Sequence, residues 1–320
     1  TLMKHWIALA AGLLAGASAM AQAWPTKPIR FIVPFTAGSG TDIIARTVGD
    51  TMARSLGQPI IIENKPGAGG TIAAAQVAKS EADGYTILVH SSGHVVNPAI
   101  YTNLSYDTLK DLSGVVPMAA LPNVLVVAPN RGWKTVGDLV AEAKAKPGKL
   151  NYASAGVGAA THLNAEKFKM QAVFDAVHVP YKGTPEAITD VIGGRADWYF
   201  SPLSAALPLI KDGKILPLAV STPQRTPALP QVPTTVEAGV AGSDYVFWVG
   251  MIVPSATPAA VVRRLHEEVT KAMANADVKE RYAKLGAETM LMSSEAFNAF
   301  LKTETESAGK IARAAGLKAQ

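Results

Sequence analysis

Small polar residues follow an apolar run near the start of the chain, where a helical pattern begins. The stretch is IRFIVPFTAGSGTDIIAR, residues 29–46. Backbone N–H groups at a helix start have no partner inside the helix, and the helix dipole favours negative charge there. Glycine and serine let an oxyanion approach those donors closely. The stretch therefore predicts an anion site whose donors are uncharged.

Three other anion-related motifs do not fit this stretch. TAGSGTD lacks the third glycine of the dinucleotide-binding fingerprint, and no Gly-Lys-Ser/Thr follows as a nucleotide P-loop requires. The G-x-S-x-G signature of a hydrolase nucleophile elbow is also missing. The pattern favours a bound carboxylate over a nucleotide phosphate or the oxyanion of an enzyme reaction.

Further loops of the same kind follow other strand-like runs. They are NKPGAGG, SSGHVVNP and SAGVGAATH, and their hydroxyls add donors without adding charge. A single loop of this kind is explained by tight turns and by Thr41 or Asp42 capping a helix. Four such loops at strand ends are better explained by a shared binding site.

The elements that must position these loops alternate along the chain. Strands are predicted over 29–33, 60–63 and 85–90, and a helix over 41–56. This alternation predicts an α/β fold with parallel-rich sheets built from βαβ units. We assign residues 24–123 plus 236–320 to a first lobe and 124–235 to a second, with two crossing segments as the hinge. Ligands of such sheets bind at the carboxyl ends of the strands, so we expect a cleft between the lobes.

The first 23 residues have the pattern of a cleavable export signal. Lys4 and His5 precede an apolar run, and Ala21-Gln22-Ala23 matches an A-x-A cleavage site. We therefore expect residues 1–23 to be removed and the rest of the chain to be located in the periplasm. No later stretch is apolar enough for a membrane span.

Composition excludes several classes of function. The 320 residues include no cysteine, and the six histidines show no metal-ligand spacing, so neither a metal nor another cofactor is expected. The net charge of +5 comes from interspersed lysines and arginines rather than a basic run. A nucleic-acid partner is therefore not expected.

Several segments together resemble the Bug family, the periplasmic solute receptors of tripartite tricarboxylate transporters. They are PIRFIVPFTAGSGTDIIAR, GQPIIIENKPGAGG, ADGYTILVHSSGHVVNPAIY, SAGVGAATHL, VPYKGT and ALPLIKDGKILPLAVSTPQRTPALPQVPTTVEAG. The resemblance implies a two-lobed type II periplasmic binding protein that closes on its ligand like a flytrap. It implies a small carboxylate as ligand, integral membrane transporter subunits as partners, a monomer and no enzymatic activity.

The resemblance also implies which residues contact the ligand. In the first lobe they are Phe35, Thr36, Ala37, Gly38, Ser39, Gly40, Asp42, Ser91, Ser92 and Asn97. In the second lobe they are Ala155, Gly156, Gly158, Thr161, His162, Tyr181, Lys182, Gly183, Thr184, Phe200 and Ser201. Ser201 stands where the family commonly has an acidic residue, which favours a di-acid or an aromatic acid over a ligand with an amine.

Some of these residues also have structural interpretations. His162 donates to the ligand or caps a helix, and Lys182 is either a charge partner or a surface lysine. We expect Asp42 to orient its loop rather than to touch an acid, because two carboxylates repel each other.

Two alternative functions stay open at this point. The same receptor could present its closed form to a signalling protein. An exported hydrolase or isomerase would need a nucleophile and a base, and His162 near Ser154 or Ser201 is the candidate pair.

Overall fold

The computed structural model describes residues 24–318, so the predicted export signal lies outside the described residues. This part of the chain contains eleven β-strands. They are β1 (Ile29–Val33), β2 (Ile60–Asn64), β3 (Thr86–Ser91), β4 (Leu112–Leu121), β5 (Asn123–Val127), β6 (Asn151–Ser154), β7 (Val177–Pro180), β8 (Trp198–Pro202), β9 (Leu216–Val220), β10 (Phe247–Pro254) and β11 (Glu288–Thr289).

Ten α-helices connect and cover these strands within residues 24–318. They are α1 (Gly40–Leu56), α2 (Thr71–Ala78), α3 (Gly93–Ile100), α4 (Val136–Ala145), α5 (Ala160–Ala172), α6 (Thr184–Ile192), α7 (Leu203–Lys211), α8 (Ala259–Ala274), α9 (Ala276–Leu285) and α10 (Ser294–Ala314). None of them combines the length and the apolarity that a membrane-spanning helix requires.

The first sheet has the strand order β11-β4-β10-β3-β1-β2. β1 is parallel to β2 and β3, whereas β10 is antiparallel to β3 and β4. The apolar faces of α1, α8 and α9 pack on one side of this sheet, and α2, α3 and α10 cover the other. The carboxyl ends of β1 and β3 therefore share one edge, where α1 and α3 follow them.

The second sheet has the order β7-β6-β8-β5-β9. β6 is parallel to β7 and β8, whereas β5 is antiparallel to β8 and β9. α4 and α5 cover one face, and α6 and α7 cover the other. The α/β prediction is confirmed, but each sheet is mixed. β5 and β10 arrive from the other lobe without a helical crossover, which parallel pairing would require.

Two segments cross between the sheets. Pro122 alone separates β4 from β5, and residues 221–246 lead from β9 to β10. The crossings are joined because Ser221 N donates to Asn123 O at 2.8 Å and Tyr245 N donates to Ser221 O at 2.7 Å. The lobe limits of 24–123 plus 236–320 and 124–235 stay a prediction. Val240, which these limits assign to the first lobe, packs on the second sheet.

Two glycines of the first sheet make room for one ring of α10. The Phe297 ring is fully buried, and a Cβ at Gly114 of β4 or at Gly250 of β10 would come within 2.5 or 2.6 Å of it. These close approaches seat α10 directly on the sheet.

We expect Gly114→Ala to lower the free energy of unfolding by about 1–3 kcal/mol, because the added methyl overpacks the buried ring. The melting temperature should fall by roughly 2–6 °C in thermal unfolding followed by circular dichroism. Gly137→Ala is the matched control, since Gly137 is exposed on α4 and its Cβ would meet only the Thr135 hydroxyl at 3.5 Å. A Gly114→Ala protein as stable as the Gly137→Ala protein would contradict this account.

Candidate functional site

A small cavity lies between the two lobes, where the loops after β1, β3, β6, β7 and β8 meet. Its volume of about 10 Å³ has room for about one water molecule. Its lining is uncharged and consists of Phe35, Ser39, Gly40, Thr41, Ser91, Ala155, Ala159, Ala160, Thr161, Thr184, Pro202 and Phe247. The structure thus brings seven predicted site residues together: Phe35, Ser39, Gly40, Ser91, Ala155, Thr161 and Thr184.

Five helices begin at this cavity. α1, α5 and α6 begin at Gly40, Ala160 and Thr184, which all line it. α7 begins directly after the lining residue Pro202, and α3 begins two residues after Ser91. The positive ends of five helix dipoles therefore gather at one uncharged cavity, an arrangement that attracts a small anion.

The Asp42 side chain braces the loop between β1 and α1 (residues 34–39) from behind. Its carboxylate accepts from Gly38 N at 2.9 Å, from Arg46 Nε at 3.0 Å and from Asn64 Nδ2 at 2.9 Å. Asn64 Nδ2 also donates to Phe35 O at 2.9 Å. Asp42 is therefore not part of the cavity lining and acts on the loop, as expected. Asn64 was missed, because nothing in the sequence shows that the last residue of β2 lies beside this loop.

The loops of the two lobes touch each other directly. Thr36 N donates to Lys182 O at 3.4 Å, and Thr184 N donates to Ser39 Oγ at 3.1 Å. A Cβ at Gly183 would lie 2.0 Å from Thr36 Oγ1, so only glycine permits this approach. Thr36 Oγ1 also donates to Glu186 at 2.9 Å. The lobes are closed, and the Lys182 side chain is exposed.

Ser91 carries the clearest free hydroxyl in the cavity lining. Its side chain is fully buried, and its Oγ has no hydrogen-bond partner among the described residues. The next residue, Ser92, instead pairs with the Tyr245 hydroxyl at 3.3 Å. Asn97 is also buried; its Nδ2 donates to Gly69 O at 3.2 Å, and its Oδ1 lies beside Gly158. Ser91 is thus the serine of this pair that can bind a ligand.

The loop between β6 and α5 (residues 155–159), called the second-lobe loop below, is held by its own neighbours. Ala155 N donates to Thr161 Oγ1 at 3.0 Å, and Gly158 N donates to His162 Nδ1 at 3.2 Å. Gly156 N donates to Ser154 Oγ at 3.1 Å. His162 therefore accepts from its own chain rather than facing the cavity. Burial, together with the charge of Lys169, lowers the pKa of His162 to about 4.

Several predicted residues are not brought to the cavity. The Phe200 ring packs in the core against Phe168 and Trp198, on the far side of β8. Ser201 Oγ donates to Pro202 O, and the Tyr181 hydroxyl donates to Asp190 at 2.6 Å. Ala37 and Gly38 are exposed on the rim. The lining residues Thr41, Ala159, Ala160, Pro202 and Phe247 were missed, although the first four lie at helix starts of the structure.

A larger cleft adjoins the cavity and shares Ala155 with it. Its volume is about 920 Å³, and its mouth is bordered by residues 315–318 at the end of α10. Tyr101 and residues 67–70 line its first-lobe side. Rings and charges line its second-lobe side: Tyr152, His162, Glu166, Lys169, His178, Tyr181 and Lys182.

The geometry does not support the nucleophile and base considered from the sequence. Ser201 Oγ bonds to Pro202 O, and Ser154 Oγ meets His178 Nε2 at 2.6 Å instead of His162. The Ser154 hydroxyl hydrogen-bonds to the backbone of Gly156. Its side chain is buried, as are the adjacent residues Ala153 and Ala155. Within residues 24–318, no group of His, Cys, Asp or Glu is arranged to hold a metal ion.

Comparison with known protein families gives one clear match. The model of the tripartite tricarboxylate transporter family receptor matches residues 44–317. A protein from the tcbD–tcbE intergenic region of Pseudomonas sp. (strain P51) is 38% identical over 89% of this chain and 85% of its own length. BugT of Bordetella pertussis is 32% identical over 96% of this chain and 94% of its own.

Solved structures match the whole fold. Periplasmic binding protein BugD is 31% identical with a TM-score of 0.88, over 92% of this chain and 100% of its own. A Rhodopseudomonas palustris protein with adipate is 34% identical with a TM-score of 0.89, over 92% of this chain and 100% of its own length. MatC from Rhodopseudomonas palustris with bound malate is 30% identical with a TM-score of 0.86, over 90% of this chain and 99% of its own length. The matched family and structures are solute-binding proteins rather than enzymes.

We expect Asp42→Ala to destabilise the protein by about 3 kcal/mol, because Gly38 N, Arg46 Nε and the half-buried Asn64 amide lose a charged acceptor. Arg46→Ala should cost less than about 1 kcal/mol, since the Arg46 side chain is 48% exposed. Urea unfolding of both variants measures the difference. Equal losses would show that the surface ion pair, and not the bracing of Gly38 and Asn64, is what Asp42 contributes.

Proposed function

The chain belongs to the tripartite tricarboxylate transporter receptor family, and from that premise we propose that it captures a small carboxylate between its lobes. It then delivers this ligand to integral membrane transporter subunits. The chain is a solute-binding receptor of the Bug type, and we place its work in the periplasm, where the predicted signal at 1–23 would direct it.

One observation carries the proposal: five helix starts meet at an uncharged cavity that contains the unpartnered hydroxyl of Ser91. A hydrogen bond to a charged group contributes about 1.5–3 kcal/mol, so a few such donors reach micromolar affinity. The buried hydroxyl of Ser91 is otherwise a cost to the closed protein. A carboxylate would satisfy Ser91 and the free N–H groups together.

Similar proteins support the ligand class. The structures with adipate and malate resemble this chain over at least 90% of its length. Both ligands carry two carboxylates and no amine. The cavity lining here also lacks an acid that could pair with an ammonium group. A plain di-acid or an aromatic acid therefore fits better than an amino acid.

The closed cavity has to open before any carboxylate enters. A volume of about 10 Å³ holds about one water molecule, and a carboxylate has three heavy atoms. Movement about the joined crossings at Asn123, Ser221 and Tyr245 would separate the loops without disturbing either sheet. An uncharged cavity suits release, because opening breaks no buried ion pair.

A ligand screen tests this proposal directly. Mono-, di- and tricarboxylates, aromatic acids and amino acids are compared by thermal shift and calorimetry with residues 24–320. A ligand at 100 times its Kd stabilises the protein by about 2.7 kcal/mol, which is readily measured. We expect carboxylates without an amine to bind. A screen in which none of them stabilises the protein would overturn the proposal.

Delivery to a transporter is tested in cells. Deletion of the gene should abolish uptake of the carboxylate identified by the screen. Uptake that persists while a transcriptional response to the carboxylate disappears would favour the signalling alternative.

Variants of two neighbouring residues show whether binding depends on the close approach of the two lobes or on a positive charge. Gly183→Ala should weaken carboxylate binding about 10- to 100-fold, because its methyl collides with Thr36 Oγ1 on closing. Lys182→Met should weaken binding less than about fivefold, since the side chain is exposed. Calorimetry gives Kd, and scattering gives the contraction on binding, which Gly183→Ala should lose. Normal binding by Gly183→Ala with complete loss in Lys182→Met would contradict a neutral site.

A further inference from the structure

Two histidines of the second lobe are stacked face to face beside the larger cleft. The rings of His162 on α5 and His178 on β7 have centroids 3.8 Å apart and planes inclined by only 6°. Tyr152 lies 4.9 Å beyond His178, and Trp198 lies 4.9 Å beyond Tyr152, both nearly parallel. Tyr152 and His162 are also only 6.2 Å apart, so the four rings form a bent stack beside the cleft.

This ring stack exists because of the strand register. Parallel pairing of β6 and β7 places Tyr152 opposite His178, and pairing of β6 and β8 places Tyr152 opposite Trp198. His162, in the first turn of α5, then covers the outer face of His178. The stack therefore ties the start of α5 to the sheet at the point where the second-lobe loop leaves it.

The hydrogen bonds of these rings depend on their protonation. Gly158 N donates to His162 Nδ1, which requires a free lone pair on that nitrogen. His178 Nε2 meets Ser154 Oγ at 2.6 Å, and the same hydroxyl accepts from Gly156 N. Two imidazolium rings at 3.8 Å would also repel each other. The observed arrangement therefore requires His162 Nδ1 to be without a proton, and it disfavours a charge on both rings at once.

The second-lobe loop connects this stack to the site. Its residues Ala155 and Ala159 line the cavity, as does Thr161 just beyond it. Its Val157 O accepts from the Tyr101 hydroxyl of the other lobe at 2.7 Å. Displacement of this loop would therefore remove part of the cavity wall and break its contact with Tyr101 of the other lobe.

We propose that His162 and His178 are positioning residues for the second-lobe loop, and that they hold it in the closed arrangement only while both rings are uncharged. This inference rests on the proposed function, because it concerns how tightly the carboxylate is held. Acidification should loosen the loop and weaken ligand binding.

Charged groups of both signs surround the ring stack. Glu166 Oε1 lies 3.9 Å from His162 Nε2, but it is already paired with Lys169 Nζ at 2.9 Å and with the Tyr152 hydroxyl. Burial, then His162, lowers the pKa of His178 to about 3, while Glu166 opposes the shift. Asp175 faces Tyr152 from the residues before β7, Lys182 and Lys318 line the same cleft, and Glu304 of α10 faces Lys167 instead.

The sign of the effect follows from these shifts. Burial, together with the charge of Lys169, lowers the pKa of His162 in the closed protein from the usual value of about 6.5 to about 4. The closed form therefore binds fewer protons than a form in which the rings are freed. Its advantage is complete above pH 6.5 and is lost as the pH falls from about 6.5 towards 4.

The test is the pH dependence of Kd, measured by calorimetry with adipate and malate as probes. The wild type should bind roughly tenfold more weakly at pH 5 than at pH 7. In the double variant with His162→Asn and His178→Phe this weakening should largely disappear, since Asn Oδ1 can accept from Gly158 N and neither side chain titrates. His162→Phe, which keeps a ring but loses the acceptor, should bind weakly at both pH values.

Other buried histidines provide the decisive control. His90 Nδ1 accepts from Ser91 N, and burial lowers the pKa of His90 and of its neighbour His94. A double variant that keeps the full wild-type pH dependence would assign it to His90 and His94 and overturn the proposal. His266→Gln, on the distant α8, should leave affinity and pH dependence unchanged.

A measurement without ligand separates this inference from the proposed function. Hydrogen exchange of the amides of residues 155–159 in the free protein should accelerate between pH 7 and pH 5, beyond the intrinsic pH effect, in the wild type and not in the double variant. That result would support the positioning role even if neither adipate nor malate binds. Equal protection in both proteins would overturn it.

Discussion

Five helices begin at one small cavity, and the N–H groups of their first turns have no partners inside the helices. Some of these donors bond within the protein, as Thr184 N does to Ser39 Oγ and Leu203 N to Pro122 O, and the others need water or an anion. Their gathering places a positive potential where no charged side chain lines the wall. Apart from Phe35 and Phe247, the lining residues are mostly small, which lets the two lobes approach each other closely. Gly40 shows this, since a Cβ there would lie 2.7 Å from Pro202 of the opposite lobe.

Charged residues support this cavity from behind. Asp42, with Arg46 and Asn64, fixes the loop between β1 and α1, while Glu166 and Lys169 lie beside the ring stack of the second lobe. Each of these carboxylates is paired with a cation of its own lobe, so closing the cleft does not require new buried ion pairs. The contacts between lobes include neutral hydrogen bonds, which can be exchanged for water on opening at small net cost, and apolar contacts such as those of Leu163 with α3 and α10.

The fold supplies the two surfaces that meet. Each lobe has its own sheet and two helical layers, so most of its core stays intact when the lobes separate. Ala160 and Leu163 of α5 are exceptions, because they pack on the first-lobe core. The crossings bond to each other between Asn123, Ser221 and Tyr245, which confines motion to a short region. Movement of rigid lobes about such a hinge opens and closes the site that both lobes share.

The sequence by itself determined where helices begin and which loops are small and polar, because glycine, serine and apolar periodicity act locally. The hydroxyls of Ser39, Ser91 and Thr161 follow from these local patterns, whereas Phe35 was implied by the family resemblance; all four line the cavity. Only the tertiary structure decided that Ser91 rather than Ser92 has a free hydroxyl, and that Phe200 faces the core. It also brought His178 to His162. Those outcomes depend on strand order and register, which pair residues far apart in the chain and alternate side chains between two faces.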